Sequence, residues 1–210
     1  MARTLGAQCK MCRRIGEKLF LKGNRCSSDK CAVERRPFPP GPKAAKGRRS
    51  KLSNYGLQLR EKQKIKKIYG VLEKPFRRYF ELSERKKGVT GTNLLRYLEL
   101  RLDNVVYRLG FALSRKHARQ LVKHALFTVN GKNVNIPSYI LRVNDEIRVR
   151  SKENWIKHLN DNMELTQNRE KTDWLELGSD KLSGKLTRLP EREDMNQTVE
   201  EQKVVELYSK

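Results

Sequence analysis

All four cysteines of this chain fall in its first 31 residues, as Cys9 and Cys12 and then, thirteen residues on, Cys26 and Cys31. C-x2-C followed by C-x4-C presents each pair of thiolates to one tetrahedral ion, with a single loop between the pairs. Zinc is the expected ion; an iron–sulfur cluster and unliganded thiols remain as alternatives. Two disulfides would need an oxidising compartment. The start, Met1-Ala2-Arg3-Thr4-Leu5, lacks the apolar stretch of a secretory signal, which points to a cytoplasmic protein. Four protein ligands close the coordination sphere, so such a site is structural and not catalytic. It would hold a segment too small for its own core. Lys10, Arg13, Arg14, Arg25 and Lys30 sit beside the ligands and can offset the negative charge of four thiolates on a divalent ion.

Charge is the second constraint. The 210 residues hold 47 Lys+Arg against 24 Asp+Glu, a formal net charge of +23. Such a surplus repels itself in a compact chain and attracts polyanions. Nucleic acid is the first candidate partner and an anionic membrane surface the second; solubility alone needs a net charge of only about 2–8. No apolar run is long enough for a transmembrane helix, which needs about 20 residues. Residues 1–60 carry +13, residues 61–160 carry +14 and residues 161–210 carry −4. The polyanion-facing surface is therefore expected in the first three quarters.

Pro37-Phe38-Pro39-Pro40-Gly41-Pro42 excludes helix and reads as an extended connector. Lys43 to Lys51 continues it as a basic arm, suited either to threading along phosphates or to simple solvation. Leu57, Leu59, Ile65, Ile68, Tyr69 and Leu72 predict a helix from Asn54, weakened at Gly70. Pro75 fits the first turn of another, ended by Lys86-Lys87-Gly88. Leu94, Leu95, Leu98, Leu102, Val105, Val106 and Leu109 form one apolar face and predict a single helix over 92–110, stopped by Gly110. Ser114 caps the next, whose stripe is Ala118, Leu121, Val122 and Ala125; residues 114–126 contain no acid. Asn130-Gly131 predicts a hairpin. Tyr139–Leu141 and Glu146–Val149 read as further strands around Asn144-Asp145. In the tail, Trp174–Leu177 and Lys185–Leu189 read as strand, turn, strand. Thr198-Val199-Glu200-Glu201 matches a capping box opening a last helix, with Val204, Val205 and Tyr208 on one side.

Several long motifs carry a resemblance. Tyr55 to Lys64, Ile68 to Glu73, Arg101 to Ala112, Ser114 to Val122 with Val129-Asn130-Gly131, Leu189 to Asp194 and Glu206 to Lys210 together resemble the universal family of small-subunit ribosomal protein four, in its bacterial-type, zinc-binding four-cysteine variant. The resemblance runs end to end. It implies an α+β, mostly helical fold. Residues 1–45 would form the zinc-stabilised segment and extended arm. Residues 46–95 would form a helical domain, rejoined by 165–210. Residues 96–164 would be an inserted RNA-binding α/β module, two helices packed on a small antiparallel sheet. Two departures stand out: Pro75 where the family usually has glutamine, and Asn144 where the module usually has glycine. Asn tolerates the left-handed turn, so the turn is expected to survive.

The resemblance further implies a primary binder of small-subunit (16S) rRNA that nucleates assembly of the subunit body. Its implied partners are small-subunit ribosomal protein five, mRNA where it enters the subunit, and its own mRNA, with effects on translational accuracy. The setting is the cytoplasmic small ribosomal subunit, a plastid being the lesser alternative; no membrane and no homo-oligomer are expected. The expected RNA ligands are Arg3, Arg13, Arg14, Arg35 and Arg36 near the cysteines, and Lys46, Arg48, Arg49, Lys51 and Tyr55 along the arm. To these are added Arg60, Lys62, Lys64, Lys66 and Lys67 on the first long helix. The module would contribute Arg115, Lys116, His117, Arg119, Gln120, Lys123, Asn130 and Lys132. Arginine suits the task because its planar fork bridges phosphates or stacks on bases.

Two rivals fit less well. Catalysis would need a nucleophile or an acid–base pair, yet the cysteines suit a metal, and His117, His124 and His158 form no such constellation in the sequence. Glu191, Glu193 and Asp194 read as a solvated cap. A zinc-dependent DNA regulator would want a recognition helix just after the ligands, where Pro37 instead follows.

Overall fold

The computed structural model describes residues 6–41, 52–150, 153–167, 169, 172–195 and 198–209. The chain divides into one unit of Met1–Asn93 with Gln197–Lys210, and a second of Leu94–Asn196.

In the first unit, α1 (Gln8–Ile15) buries Cys12 and Ile15 and ends at Gly16, which takes the left-handed conformation (φ 86°). A short 3-10 turn (Gly23–Cys26) and α2 (Ala32–Arg35) follow. α3 (Asn54–Ile68) opens where Ser53 accepts a hydrogen bond from the Gly56 N–H at 3.2 Å. Gly70 (φ 64°) terminates it rather than weakening its middle. α4 (Glu73–Glu84) holds Pro75 in its first turn, where a missing N–H leaves no intrahelical bond unmade. Phe76, Tyr79, Phe80 and Ser83, at helical spacing, form its buried face. α9 (Glu201–Tyr208) closes the unit against α3 and α4. Gln58 donates to Glu206 at 2.9 Å, and the Tyr208 ring stacks 4.5 Å from that of Phe80. The expected capping box at Thr198 does not open this helix, which begins at Glu201. The Thr198 carbonyl accepts from Lys64 instead.

α5 (Thr90–Glu99) crosses from the first unit into the second, and α6 (Leu102–Arg108) follows. The single helix expected over 92–110 is therefore two. Arg101 is extended (φ −68°, ψ 137°) and bridges Ile140. The flanking backbone bonds to the loop before the sheet: Leu141 N–H to Leu100 O at 2.9 Å, Leu102 N–H to Tyr139 O at 2.8 Å and Asp103 N–H to Pro137 O at 3.1 Å. Tyr139–Leu141 thus meets the helix break and is not a strand of the sheet. α7 (Arg115–Lys123) is capped by Ser114, which accepts from the His117 N–H at 3.2 Å.

The sheet has five antiparallel strands in the order β2-β1-β3-β5-β4: β1 (Phe127–Val129), β2 (Lys132–Asn133), β3 (Glu146–Val149), β4 (Leu175–Leu177) and β5 (Ser183–Leu186). Asn130 (φ 49°) and Gly131 (φ 76°) make the predicted turn, and Asn144 (φ 70°) supplies the left-handed residue expected of it. Pairing of Glu146 with Lys185 and Ile147 with Gly184 places β4 and β5 in the module's sheet. Residues 165–196 therefore belong to the second unit, and only Gln197–Lys210 rejoins the first. The core gathers Leu102, Val105, Val106, Phe111, Phe127, Leu141, Ile147 and Trp174. Each such side chain contributes about 1.5–3 kcal/mol by leaving water. α8 (Glu153–Thr166) adds Leu159 to this core, and Asn162 donates to the Phe111 carbonyl at 3.2 Å. No described helix is long and apolar enough to cross a membrane.

Candidate RNA interface and thiol cluster

α7 carries the candidate interface of the second unit. Lys116, Gln120 and Lys123 recur at helical spacing and are exposed, while Ala118, Leu121 and Val122 face the core. Arg115 and Arg119 flank that stripe and are anchored from below. The Arg115 Nε donates to Asn104 Oδ1 at 2.7 Å, and its guanidinium lies 4.5 Å from the Tyr107 ring centroid. Arg119 reaches Asp103 at 3.3 Å. Asp103 and Asn104 are 3% and 1% exposed, so α6 forms a buried polar bed beneath α7. The bed continues downward. Asp103 takes a two-point contact from Arg101 at 3.0 and 2.6 Å, while Asn104 donates to Glu99 Oε2 at 2.6 Å. Glu99 in turn receives Arg108 at 3.1 and 2.8 Å. Both arginines of α7 are therefore held in a preset direction.

Arg169 completes this frame. Its guanidinium donates to the carbonyls of Tyr107 at 3.0 Å, Ala112 at 3.1 Å and Leu113 at 3.1 Å. It also lies 4.2 Å from the Tyr107 ring that bears Arg115. It thereby ties the end of α6 to the residue before the Ser114 cap. Sequence reasoning missed Asp103, Asn104, Tyr107 and Arg169 as supports. The first three looked like parts of an amphipathic helix, and Arg169 approaches from a segment 46 or more residues beyond α7.

Two other expected RNA ligands of the module also bond within the fold. His117 accepts from the Leu113 N–H at Nδ1 (3.4 Å), so its proton is on Nε2. Burial and the neighbouring His158 hold its pKa below the ordinary value, leaving it neutral at pH 7 rather than cationic. Asn130 donates to Asp145 at 2.8 Å and accepts from the Glu146 N–H at 2.9 Å, which locks the hairpin turn. Lys132 is exposed.

The first unit departs further from expectation. Lys64 is 2% exposed, 2.6 Å from Glu17 and bonded to the Thr198 carbonyl, so it joins α3 to α1 and α9 instead of facing outward. Arg60 donates to the Ile15 carbonyl. Lys62 and Lys66 both pair with Glu73, which also accepts from the Tyr208 hydroxyl at 2.9 Å. Burial alone would raise the Glu73 carboxyl, but these three hydrogen bonds outweigh it and hold it at about 2. Burial, then the bond to Glu73, raises the Tyr208 phenol. Burial lowers the Lys67 ammonium, with Arg14 and Lys66 adding repulsion. Arg13 donates from Nε to the carbonyls of Arg36 (3.1 Å) and Phe38 (2.9 Å) and lies over the Phe38 ring, folding the proline connector onto α1. Arg35 bonds the Asp29 carbonyl at 2.9 Å. Arg14, Arg36 and Tyr55 are exposed. Arg3, Lys46, Arg48, Arg49 and Lys51 lie outside the described residues.

The four cysteines border a common space. Cys9, Cys12, Cys26 and Cys31 all line one cavity of ≈ 20 Å³. None is in a disulfide, and Cys12, Cys26 and Cys31 are buried. The Lys22 N–H donates to the Cys26 sulfur at 3.3 Å, as backbone amides do toward a thiolate. Burial first, and then the charge of the neighbouring cysteines, raises the thiols of Cys12 and Cys26. Four cysteines around one pocket are a donor set that would suit a soft tetrahedral ion. Among the described residues, no three His, Cys, Asp or Glu side chains are drawn together as a preformed metal site.

Comparison with known proteins agrees with this architecture. Residues 3–99 match the family described as ribosomal protein S4/S9 N-terminal domain, and residues 100–147 match the S4 domain. Small ribosomal subunit protein uS4 of Acetivibrio thermocellus is 54% identical over 210 residues, covering 100% of both chains. The proteins of the same description from Syntrophobacter fumaroxidans and Thermodesulfovibrio yellowstonii are 55% and 53% identical with the same coverage. The chain belongs to the uS4 family of small-ribosomal-subunit proteins. A member of this family is a ribosomal structural protein and not an enzyme. The match to the S4 domain spans α6, the acid-free α7 and the hairpin, which are the elements that carry the candidate interface.

Proposed function

We propose that this uS4-family chain binds small-subunit (16S) rRNA directly, as a structural component that nucleates assembly of the subunit body in the cytoplasm. The observation that carries this reading is α7. It is a helix without a single acid, with Lys116 and Lys123 exposed and Arg115 and Arg119 held from beneath by Asn104 and Asp103. Cations on such a helix replace counterions along the phosphates. Arginines fixed before contact lose less side-chain freedom on binding. Structured RNA offers shape, backbone and 2′-hydroxyls rather than a readable major groove, so rigid positioning of cations matches what an RNA helix presents.

The same reading extends to ribosomal protein five as a neighbour, to mRNA where it enters the subunit, to decoding accuracy and to the chain's own mRNA. It also assigns the four thiols to a single structural zinc, held by Cys9, Cys12, Cys26 and Cys31. When bound, the ion supplies the charge that four clustered thiolates lack, and it supplies no chemistry of reaction. Cys9 and Cys12 lie within α1, Cys26 closes the 3-10 turn and Cys31 precedes α2, while Arg13 seats the connector on α1.

The test is binding of the full chain to isolated small-subunit rRNA at moderately high salt, with excess tRNA and duplex DNA. Binding that survives both competitors supports the reading. Binding that either competitor erases refutes it.

A further inference from the structure

α3 was expected to offer the RNA-facing lysines of the first unit, yet most of its cations are engaged within the fold. α4 is different. Its buried face is Phe76, Tyr79, Phe80 and Ser83. Its opposite face and the turn that follows expose Lys74, Arg77, Arg78, Arg85, Lys86 and Lys87. Arg77 reaches Glu81 at 3.4 Å. Among the described residues, the side chains of Lys74, Arg78, Arg85 and Lys87 have no hydrogen-bond or ion-pair partner, and Glu84 stands among them as an exposed carboxylate. Elsewhere in the unit, Arg13, Lys18, Arg60, Lys62, Lys64 and Lys66 each meet a carboxylate or carbonyl. α4 also exposes Glu73 and Glu81, but Lys62 and Lys66 engage the first and Arg77 the second, so Glu84 is the acid left beside these four cations.

We infer that Lys74, Arg78, Arg85 and Lys87 form a second phosphate-binding surface, on the helical unit, for the backbone of structured RNA. This rests on the rRNA-binding reading and adds to it a site remote in sequence from α7. The four cations lie on one helix and its exit, so the helix itself sets their spacing. They belong to a rigid element packed through Phe76 and Phe80, and no internal partner must be displaced before a phosphate can dock. Unlike Lys62 and Lys66, they carry no Glu73 to compete with.

The experiment compares the full-length chain with the variant K74Q/R78Q/R85Q/K87Q and with E84Q, measuring rRNA affinity across a salt series. Wild-type binding that resists tRNA and duplex DNA establishes the underlying reading independently. The fourfold variant should then bind at least about tenfold more weakly, with a plot of log affinity against log salt shallower by about 3, four contacts at about 0.7 each. Its urea midpoint should match wild type, because the four exposed side chains make no hydrogen bond or ion pair among the described residues. E84Q should move the other way and tighten binding by about twofold, the scale of one exposed charge interaction. A wild type that binds specifically, with a fourfold variant whose slope changes by less than about 1, overturns this surface while leaving the rRNA reading intact. Weakening by E84Q also overturns it.

Discussion

The buried polar bed beneath α7 makes a sharp prediction at Asp103. Asp103→Asn keeps the side chain's shape, opens no cavity and removes one negative charge. Asp103 is 3% exposed and receives Arg101 at 3.0 and 2.6 Å and Arg119 at 3.3 Å. Arg101 is itself 2% exposed and is left with its charge uncompensated by Asp103. Breaking a buried pair in this way costs about 3–5 kcal/mol. Arg119 is more open and can turn to water, and Arg101 keeps other contacts, so the lower end, about 3 kcal/mol, is expected. That is roughly a hundredfold in the unfolding equilibrium at about 1.4 kcal/mol per decade. With a urea dependence of about 2 kcal/mol per molar, the midpoint should fall by about 1.5 M. Trp155 and Trp174, the two tryptophans of the chain, both lie in Leu94–Asn196, so their fluorescence follows this unit alone. Arg101→Met added to Asp103→Asn should recover at least half the loss, since removing both ions removes the imbalance. A single variant within about 0.5 kcal/mol of wild type, or a double variant worse than the single, would refute the argument that this pair holds the break between α5 and α6.

Three further outcomes are expected. Glu73 is held near 2 in the fold, below the unfolded value of about 4.3; its contribution to stability is therefore complete above about 4.3 and is lost as the pH falls through the folded value. Because Glu73 is half exposed, about 1 kcal/mol or less should go; Glu73→Gln should remove this acid-limb loss in urea titrations followed by circular dichroism, and an unchanged limb would contradict it. Arg169→Lys keeps the charge but not the three-carbonyl fork, so rRNA affinity should fall about fivefold with the salt slope unchanged, whereas a slope shallower by about 0.7 would make Arg169 itself a phosphate ligand. Native mass spectrometry should find one zinc per chain, and strong chelation should remove it, free four titratable thiols and loosen the first helices; a metal-free chain of unchanged structure would refute the zinc assignment.

The features legible in the sequence are those set by neighbours along the chain. Ser114 caps α7, Gly110 ends the preceding helix and Asn130-Gly131 turns the hairpin because a few adjacent residues decide each. Asn144 likewise meets its left-handed turn. The break at Arg101 was hidden because Leu98 and Leu102 continue one apolar period across it. Its cause is the loop of Pro137 to Leu141, more than thirty residues away. Lys64 looked like solvent-facing charge. It is buried by Glu17 and Thr198, one reached across the connector and the other across the whole module. β4 and β5 read correctly as a tail hairpin, but their pairing with β3 is a long-range choice that local pattern does not record. The cations of α3 and α4 look alike in sequence, and Glu73, Tyr208 and Thr198 distinguish them in the fold.

On the proposed reading, the exposed lysines of α7, set beside its two anchored arginines, recognise the shape of small-subunit rRNA. The most direct test of that reading is the affinity of the full chain for that rRNA over a range of salt, in excess tRNA and duplex DNA. Tight binding that outlasts both competitors is expected, with a steep slope that becomes shallower by about 0.7–0.9 for each α7 cation (Lys116, Lys123) replaced by glutamine. Binding that tRNA or duplex DNA abolishes, or a slope indifferent to those two lysines, would contradict it.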